Sequence, residues 1–344
     1  MNRTIHTSHA TRHTLTSVVA ACITACCALT ASAVSAQPTS TGSGQAYPNK
    51  PIRMIVPQAV GSPGDFWARL IAAKSPEVFG QNLIVDNRPG ANGFIGAEAA
   101  ARAPADGYTL LMTNSITHVY NPWLYRKLPY RDIEDFAPVT LTSGGPLMLA
   151  VNPKVPARTR AELIALAKAK PGELNYAIGG ARGYALVVME QFKRAAGINV
   201  VGVPYKALGA DLPDVIGGQV AITFNFLAIL DPLMKAGRLR VLAVAAPNRL
   251  PAAPDIPTFA ESGAPGVELL AWSGVFVPAG TPRDVITRIH KGFAQIIQAP
   301  AFRAEQIRLG SLLGGSTPEE FNAFWRADRA RTGKVLAEAG ITPE

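Results

Sequence analysis

Two turns between a strand and a helix carry the residue types that bind anions. The first turn runs from Ala59 to Asp65 and follows the apolar segment Ile52–Val56. The second runs from Gly179 to Gly183 and precedes an apolar helical segment. A helix that begins at such a turn leaves its first backbone N–H groups unpaired, and the helix dipole adds positive potential there. Both turns are therefore predicted to hold an anionic group such as a carboxylate.

The first turn also has a purely structural interpretation. Ser62 is a favourable N-cap, Pro63 suits the first helical position, and Asp65 lies three residues after Ser62, as in a capping box. A well-formed helix start explains these residues without any ligand. The turn taken alone leaves both interpretations open, and the second turn of the same kind favours binding.

Polar side chains also follow other predicted strands. Ser115 and Thr117 come after the predicted strand Tyr108–Met112, and Tyr205 and Asn225 stand at the ends of two later strands. In α/β domains, ligands collect at the carboxyl ends of the strands. These four side chains are therefore predicted to line the same crevice as the two turns.

The sequence lacks the patterns that carry catalysis. It has no His, Cys and Asp cluster with metal-ligand spacing, no Gly-x-Ser-x-Gly elbow and no Gly-x4-Gly-Lys phosphate loop. The one candidate base, His118, is interpreted as a hydrogen-bonded structural histidine at a sheet edge rather than a catalytic one. We therefore predict a binding protein with no catalytic residue, no metal and no cofactor.

The elements that position these residues alternate between short apolar strands and helices. This alternation predicts an α/β fold with mostly parallel sheets, and each of the two turn-bearing units is expected to head its own domain. We predict domain 1 at residues 47–149 and 272–344, and domain 2 at residues 150–271. Capping motifs are predicted at the starts of three later helices, at Thr159, Thr281 and Thr317.

The N-terminus has the three parts of a secretory signal. Arg3 and Arg12 precede an apolar run, and small residues before Gln37 form a cleavage site after Ala36. We predict a signal peptide at residues 1–36, a linker at 37–46 and a periplasmic mature protein. The alternative is a lipoprotein acylated at Cys26.

The mature chain has a moderate positive charge. Removal of residues 1–36 takes away every cysteine and 2 of the 33 basic residues, which leaves 31 bases against 24 acids, a net charge of +7. The basic residues are not clustered as on a nucleic-acid-binding surface. The charge suits a small anionic ligand and excludes nucleic acid as a predicted partner.

Five segments also carry a family resemblance. They are Tyr47-Pro48-x-Lys50-Pro51-Ile52-Arg53-x-Ile55-Val56-Pro57, Asn87-Arg88-Pro89-Gly90-Ala91-x-Gly93, Asp106-Gly107-Tyr108-Thr109-Leu110-Leu111, Val203-Pro204-Tyr205-Lys206 and Pro278-Ala279-Gly280-Thr281-Pro282. Together these segments resemble the Bug family, the extracytoplasmic solute-binding proteins of tripartite tricarboxylate transporters. The resemblance extends from about Tyr47 to Gly340.

The resemblance implies a monomer with two α/β domains in a type II-like periplasmic-binding-protein fold, closing a hinged cleft on a carboxylated ligand. It implies delivery to the membrane permease subunits, with ligand sensing and, less favoured, an enzyme on this scaffold as the alternatives. Both turns would hold ligand carboxylates through backbone groups, hydroxyls and ordered waters, and polar strand ends would line the cleft. The residues so implied are Ala59, Val60, Gly61, Ser62, Asp65, Gly180, Gly183, Ser115, Thr117 and Asn225.

The chain departs from the family pattern at several ligand-facing positions. Arg182 stands in a turn that is often rich in glycine and serine, and is interpreted either as a solvated residue or as a bidentate partner of a carboxylate. Tyr184 and Phe226 either stack on an aromatic ligand ring or pack in the interior. Tyr205 completes the predicted site. These departures leave the identity of the carboxylate open.

Overall fold

The computed structural model describes residues 47–180, 182–206 and 208–344. The predicted signal peptide and linker, with Cys26, lie outside the described residues, as does Ala181 in the second turn. Within the described ranges, no helix combines the length and the apolar character that a bilayer crossing requires.

Five strands form a first sheet in the order β2-β1-β3-β10-β4. Strand β1 pairs in parallel with β2 and β3, whereas β10 runs antiparallel to both β3 and β4. The strands of this sheet are β1 (Ile52–Val56), β2 (Leu83–Asn87), β3 (Thr109–Asn114), β4 (Phe136–Pro146) and β10 (Leu270–Pro278).

A second sheet has the order β7-β6-β8-β5-β9. Strand β6 pairs in parallel with β7 and β8, and β5 runs antiparallel to β8 and β9. Its strands are β5 (Met148–Val151), β6 (Asn175–Gly179), β7 (Val201–Tyr205), β8 (Ile222–Asn225) and β9 (Arg240–Val244).

Helices connect the strands of both sheets. They are α1 (Pro63–Phe79), α2 (Phe94–Ala101), α3 (Asn121–Leu124), α4 (Arg160–Ala169), α5 (Tyr184–Ala196), α6 (Leu212–Gly217), α7 (Leu227–Lys235), α8 (Arg283–Ile297), α9 (Pro300–Arg308) and α10 (Pro318–Glu338). A short 3-10 turn (Ala91–Gly93) precedes α2, and a π-helical turn (Ile116–Tyr120) follows β3.

Local sequence accounts for several helix ends. Thr159 caps α4, and Thr317 and Glu320 form a reciprocal capping box at α10, as predicted. The prediction that Thr281 caps α8 was wrong. Its hydroxyl donates to the carbonyl of Pro278 at 2.7 Å, which closes the preceding turn, and the N-cap residue is Pro282.

Each sheet, with the helices that pack on it, makes one lobe. We define the first lobe as residues 47–146 and 270–344, and the second lobe as the described residues between 147 and 269. The chain changes sheet at Leu147, between β4 and β5, and returns ahead of β10. The predicted α/β class is confirmed, and the exact domain boundaries given above stay predictions. The prediction of mostly parallel sheets was wrong, because β10 and β5 each run antiparallel to both of their neighbours and make the two sheets mixed.

A continuous hydrophobic core joins the lobes. The largest buried cluster contains Leu111 and Trp272 of the first lobe together with Tyr184 and Phe192 of the second. Separate buried clusters cover the outer face of each sheet. The carboxyl ends of β3, β6 and β8 thus approach a shared internal boundary, which we call the seam.

Candidate ligand-binding site

The first turn is completed by its own side chains. Ser62 Oγ accepts a hydrogen bond from the backbone N–H of Asp65 at 3.3 Å. The carboxylate of Asp65, which is buried, accepts from the N–H of Gly61 at 2.9 Å and from Arg69 Nε at 3.0 Å. The predicted capping box is therefore modified, because Asp65 reaches Gly61 rather than the N–H of Ser62.

The carboxylate of Asp65 stays charged in this setting. Burial on its own raises the pKa of Asp65, but the hydrogen bonds from Arg69 and Gly61 outweigh it, so the pKa lies below its usual value. A negative charge of the protein thus already occupies the positive end of α1. Ala59, Val60 and Gly61 remain exposed, with Val60 at 72%.

The second turn lacks the side-chain cap that the first turn has. Gly183 is the N-cap residue of α5, and it supplies no side-chain cap to the helix. A Cβ atom at Gly183 would lie 1.9 Å from the carbonyl oxygen of Gly179, so the turn admits only glycine here. Gly180 adopts a φ of +84° and donates its N–H to the backbone carbonyl of Tyr205 at 2.9 Å. The N-terminus of α5 is therefore buried without a side-chain cap, although the N–H of Leu186 is bonded to the carbonyl of Gly183 at 3.1 Å.

A hydrogen bond crosses the seam beside this turn. Tyr184 OH of the second lobe lies 2.8 Å from Ser115 Oγ of the first lobe, and the N–H of Trp272 approaches Ser115 Oγ at 3.4 Å. The ring of Tyr184 packs edge-on against Tyr120, with centroids 5.4 Å apart. Burial raises the pKa of Tyr184, so its hydroxyl stays protonated. In this structure Tyr184 packs in the interior.

Asn92 is a candidate residue that sequence reasoning missed. It has a φ of +52°, and its side-chain Nδ2 donates to Tyr125 OH at 2.8 Å. Its Oδ1 lies 3.4 Å from the position that a Cβ atom would take at Gly180, so the loop before α2 touches the second turn. The Asn92-Gly93 pair was the available signal, since asparagine followed by glycine favours left-handed turns.

Thr117 lies close to the same loop. Its Oγ1 accepts from Thr113 Oγ1 at 2.9 Å and would lie 2.7 Å from a Cβ atom at Gly93. Both threonines are buried. Thr117, Gly93 and Asn92 therefore link the end of β3 to the second turn.

Arg182 is held by the C-terminal segment of the described chain. Its Nη2 donates to the carbonyl of Thr342 at 3.1 Å, and its Nη1 forms an ion pair with the side chain of Glu344. The backbone of Glu344 pairs in turn with Leu124 and Arg126, at 3.1 and 2.8 Å. The side chain of Arg182 is only 12% exposed, so it is not a solvated loop residue.

The remaining predicted residues follow the strands of the second sheet. Tyr205 OH donates to Asp214 Oδ2 at 2.7 Å, and burial together with this carboxylate raises the pKa of Tyr205 to about 12. Asn225 is fully buried at the end of β8. Phe226 is the N-cap residue of α7 and lies beside Gly145 of the first lobe, 3.9 Å from the position that a Cβ atom would take at Gly145.

His118 does not form part of a reactive group. It is fully buried and packs on Phe136 and Phe276, with ring centroids 4.7 and 4.3 Å away. Burial lowers the pKa of His118 to about 3. Among the described residues, neither ring nitrogen has a hydrogen-bond partner of normal geometry. The predicted sheet-edge position was wrong, because β10 pairs with β3 and makes it the central strand. The histidine is structural as interpreted, but aromatic packing takes the place of the expected hydrogen bond.

The structure thus divides the predicted residues into two groups. One group meets at or beside the seam, and the other lies at the surface of the first lobe or is engaged by other parts of the chain. The seam group comprises Ser115, Thr117, Gly180, Gly183, Tyr184, Asn225 and Phe226. The other group comprises Ala59, Val60, Gly61, Ser62, Asp65, Arg182 and Tyr205.

Comparison with known proteins gives consistent matches over most of the chain. Residues 67–340 match the model of the tripartite tricarboxylate transporter family receptor. The protein BugT of Bordetella pertussis is 34% identical over 302 residues, which cover 87% of this chain and 92% of BugT.

Solved structures give the same result. An R. palustris protein solved with adipate has a TM-score of 0.82 and 34% identity, covering 87% of this chain and all of that one. MatC from Rhodopseudomonas palustris, solved with bound malate, has a TM-score of 0.77 and 28% identity, covering 84% of this chain and 100% of MatC. The two-domain fold of periplasmic solute-binding proteins is confirmed.

Proposed function

Since the chain belongs to the receptors of the tripartite tricarboxylate transporter family, which include the Bug proteins, we propose that it captures a carboxylated small organic molecule between its lobes. It then delivers this ligand to the membrane subunits of a transporter. The relatives solved with adipate and with malate each hold a dicarboxylate, which supports the ligand class. The function needs no chemical step, only opening and closing of the lobes.

One observation carries this proposal: α5 begins at the seam without a side-chain cap. The N–H groups of its first turn are suited to a ligand carboxylate, and the helix dipole favours the negative charge. Gly183 allows the turn to pass close to the carbonyl of Gly179, and Ser115 supplies a hydroxyl nearby. We assign the main carboxylate position to this second turn.

The first turn has a secondary role in the proposal. Because Asp65 already fills the end of α1, the groups left for a ligand are the exposed backbone of Ala59, Val60 and Gly61 and the hydroxyl of Ser62. These groups suit a second, more solvated carboxylate that binds through water. Arg182 takes part only after it separates from Glu344.

The family consists of extracytoplasmic binding proteins, and we propose that this chain works in the periplasm as a monomer after removal of residues 1–36. Transport and sensing share the capture step, and co-purification with membrane subunits separates them. Catalysis has no proposed residue, since His118 is enclosed by aromatic side chains.

Thermal unfolding of the secreted protein against aliphatic, aromatic and amino-acid carboxylates tests the function. A ligand at 100 times its Kd stabilises the fold by about 2.7 kcal/mol, which raises the Tm by about 4 °C for a chain of this length. Ser115→Ala is expected to reduce this shift. Ser75→Ala, which removes another buried serine hydroxyl of the first lobe, on α1, is the matched control and is expected to preserve it.

The opposite result is equally clear. If no carboxylate shifts the unfolding of protein shown to be folded and free of carried-over ligand, the proposed function is wrong.

A further inference from the structure

A chain of buried polar groups leads from the α6 end of the second lobe to the end of β8. The backbone N–H of Gly209 donates to Asp211 Oδ1 at 3.1 Å. Thr223 Oγ1 donates to Asp211 Oδ2 at 2.5 Å, and Asn225 Nδ2 donates to Thr223 Oγ1 at 2.9 Å. Asp211, Thr223 and Asn225 are each at most 2% exposed.

The carboxylate of Asp211 fixes the direction of every hydrogen bond in this chain. An ionised carboxylate only accepts, so the hydroxyl of Thr223 must donate its single hydrogen to Asp211. The remaining lone pairs of Thr223 Oγ1 can then only accept, and the donor facing them must be the amide nitrogen of Asn225. The amide oxygen of Asn225 is therefore the atom that points away from the chain.

That oxygen is buried, and it has no hydrogen-bond partner among the described residues. Buried polar atoms are nearly always paired in folded proteins, so an orphan acceptor indicates a missing donor. Asn225 ends β8, whose parallel neighbour β6 leads into the second turn, and the next residue, Phe226, lies beside Gly145 of the first lobe. The register of β6 and β8 sets Asn225 level with Gly179, at the start of the second turn, which is where we proposed that the ligand binds.

We propose that Asn225 Oδ1 selects ligands that carry a hydrogen-bond donor next to a carboxylate. The donor is a hydroxyl or an ammonium group, so the ligand class is a hydroxy- or amino-carboxylate rather than an unsubstituted one. Thr223 bonds to Asn225, and Asp211 bonds to Thr223. Both act as positioning residues that hold the amide of Asn225 in one orientation. This inference rests on the proposed function and names the substrate class of the same site.

Matched ligands test the proposal. Malate, aspartate and succinate share one four-carbon skeleton and differ in a hydroxyl, an ammonium or a hydrogen at one carbon. Mandelate, phenylglycine and phenylacetate form the equivalent aromatic set. In calorimetric titrations of the native-sequence protein, at least one substituted member is expected to bind about tenfold or more tightly than its unsubstituted partner, because an unpaired buried acceptor penalises the analogue that lacks the donor.

Thr223→Val separates the positioning role from a merely structural one. Valine keeps the shape but releases the amide of Asn225, which can then turn either face to the ligand. The preference within a set is expected to shrink towards equal binding, while the affinity for the unsubstituted member changes little. Thr142→Val, which alters a buried threonine of the first lobe bonded to the Ser273 carbonyl, is the control and is expected to retain the full preference.

Three results overturn the inference. If the native-sequence protein binds carboxylates but does not distinguish members of a set, the acceptor is satisfied by water and the inference fails while the proposed function stands. If the preference exists and survives in folded Thr223→Val, the hydrogen-bond chain through Asp211 and Thr223 does not create it. Absence of any carboxylate binding overturns the function and the inference together.

Discussion

The first and second turns both join a strand to a helix, but only the first has a side chain that caps its helix. At the first turn, the carboxylate of Asp65 is bound by the Gly61 N–H and by Arg69, and Ser62 caps α1. At the second turn, Gly183 leaves α5 without a side-chain cap, and the turn lies at the seam between the lobes. The first turn pairs its helix end with a carboxylate of the protein, and we propose that the second turn pairs with a carboxylate of the ligand.

This difference shows why similar local sequences need not share a role. A helix N-terminus attracts negative charge, and the protein can supply that charge itself when the result is only a stable helix. Where a helix begins without a side-chain cap, as α5 does, its first N–H groups are suited to a negative charge supplied by a ligand. The identity of the capping residue therefore distinguishes the two cases better than the glycine content of the turn.

Replacement of the turn glycines gives the largest expected contrast. In Gly183→Ala, the new Cβ atom would lie 1.9 Å from the Gly179 carbonyl oxygen. The second turn must then rearrange, and ligand affinity is expected to fall by about 100-fold, equivalent to about 2.8 kcal/mol.

Gly61→Ala is the matched control in the first turn. Gly61 has a φ of +82° and open space around its Cβ position, so alanine costs about 1–2 kcal/mol in stability. Its ligand affinity is expected to change little in the same titration. Equal losses of affinity in the two variants would contradict the assignment of the main carboxylate position to the second turn.

His118 provides a pH reference that is separate from both turns. The pKa of His118 is about 3 in the fold and about 6.5 in the unfolded chain. The unfolded state therefore binds the proton first as the pH falls, so stability is complete above pH 6.5 and is lost progressively towards pH 3. At pH 5, about 1.5 units below the unfolded value, the loss is about 2 kcal/mol.

Urea unfolding between pH 7 and pH 5 measures this loss. His118→Phe is expected to remove the pH-dependent part, whereas Phe136→Leu, in the same cluster, lowers stability equally at both pH values. Because Asp65 keeps its charge between pH 7 and pH 5, the first turn does not contribute to this pH dependence. If the free energy of unfolding falls as much between pH 7 and pH 5 in His118→Phe as in the parent protein, the histidine is not the titrating group.

Asp65→Asn tests the carboxylate that the first turn carries. The variant keeps the size of the side chain but loses the charge that pairs with Arg69 and the α1 dipole, and we expect a loss of about 1–2 kcal/mol at pH 7. The pKa of Asp65 is lowered in the fold, so its contribution is present above the unfolded pKa of about 3.9 and is lost below it. The stability gap to the parent protein should close as the pH falls below 3.9, and ligand binding should persist at pH 7.

The smallest expected effect concerns the arginine of the second turn. Glu344 is 75% exposed, so Glu344→Gln should change stability by less than about 1 kcal/mol. It releases Arg182 towards a ligand carboxylate, and affinity is expected to rise by about two- to fivefold, within that energy. Glu338→Gln removes the same charge near the same end of the chain, and unequal effects of the two variants assign the gain to Arg182.

The fold was predictable from sequence where local patterns carry the information. Alternating strands and helices, the capping box at Thr317 and the glycine that ends α5 all follow from neighbouring residues. Strand β4 was missed because Pro138 and the Gly144–Pro146 segment hide its pattern, and pairing with β10, far along the chain, stabilises it. Helix α9 was missed because its short sequence has no marked apolar face.

The site was predictable only in part, because local patterns do not show which residues meet over long distances in the chain. Both turns could be recognised, but the partner of Arg182 is Glu344, which no local pattern connects to it. The hydrogen-bond chain behind Asn225 depends on how α6 packs on β8, which sequence spacing does not reveal. Long-range packing therefore decides which polar groups are already paired and which remain available.

The tryptophans have a consequence for measurement. All four, at positions 67, 123, 272 and 325, belong to the first lobe, and the second lobe has none. Trp272 is buried next to Ser115, whose hydroxyl meets Tyr184 across the seam. Separation of the lobes would change the surroundings of Trp272, and the second lobe contributes no tryptophan fluorescence. The tryptophan emission of the protein is therefore a built-in reporter of closure.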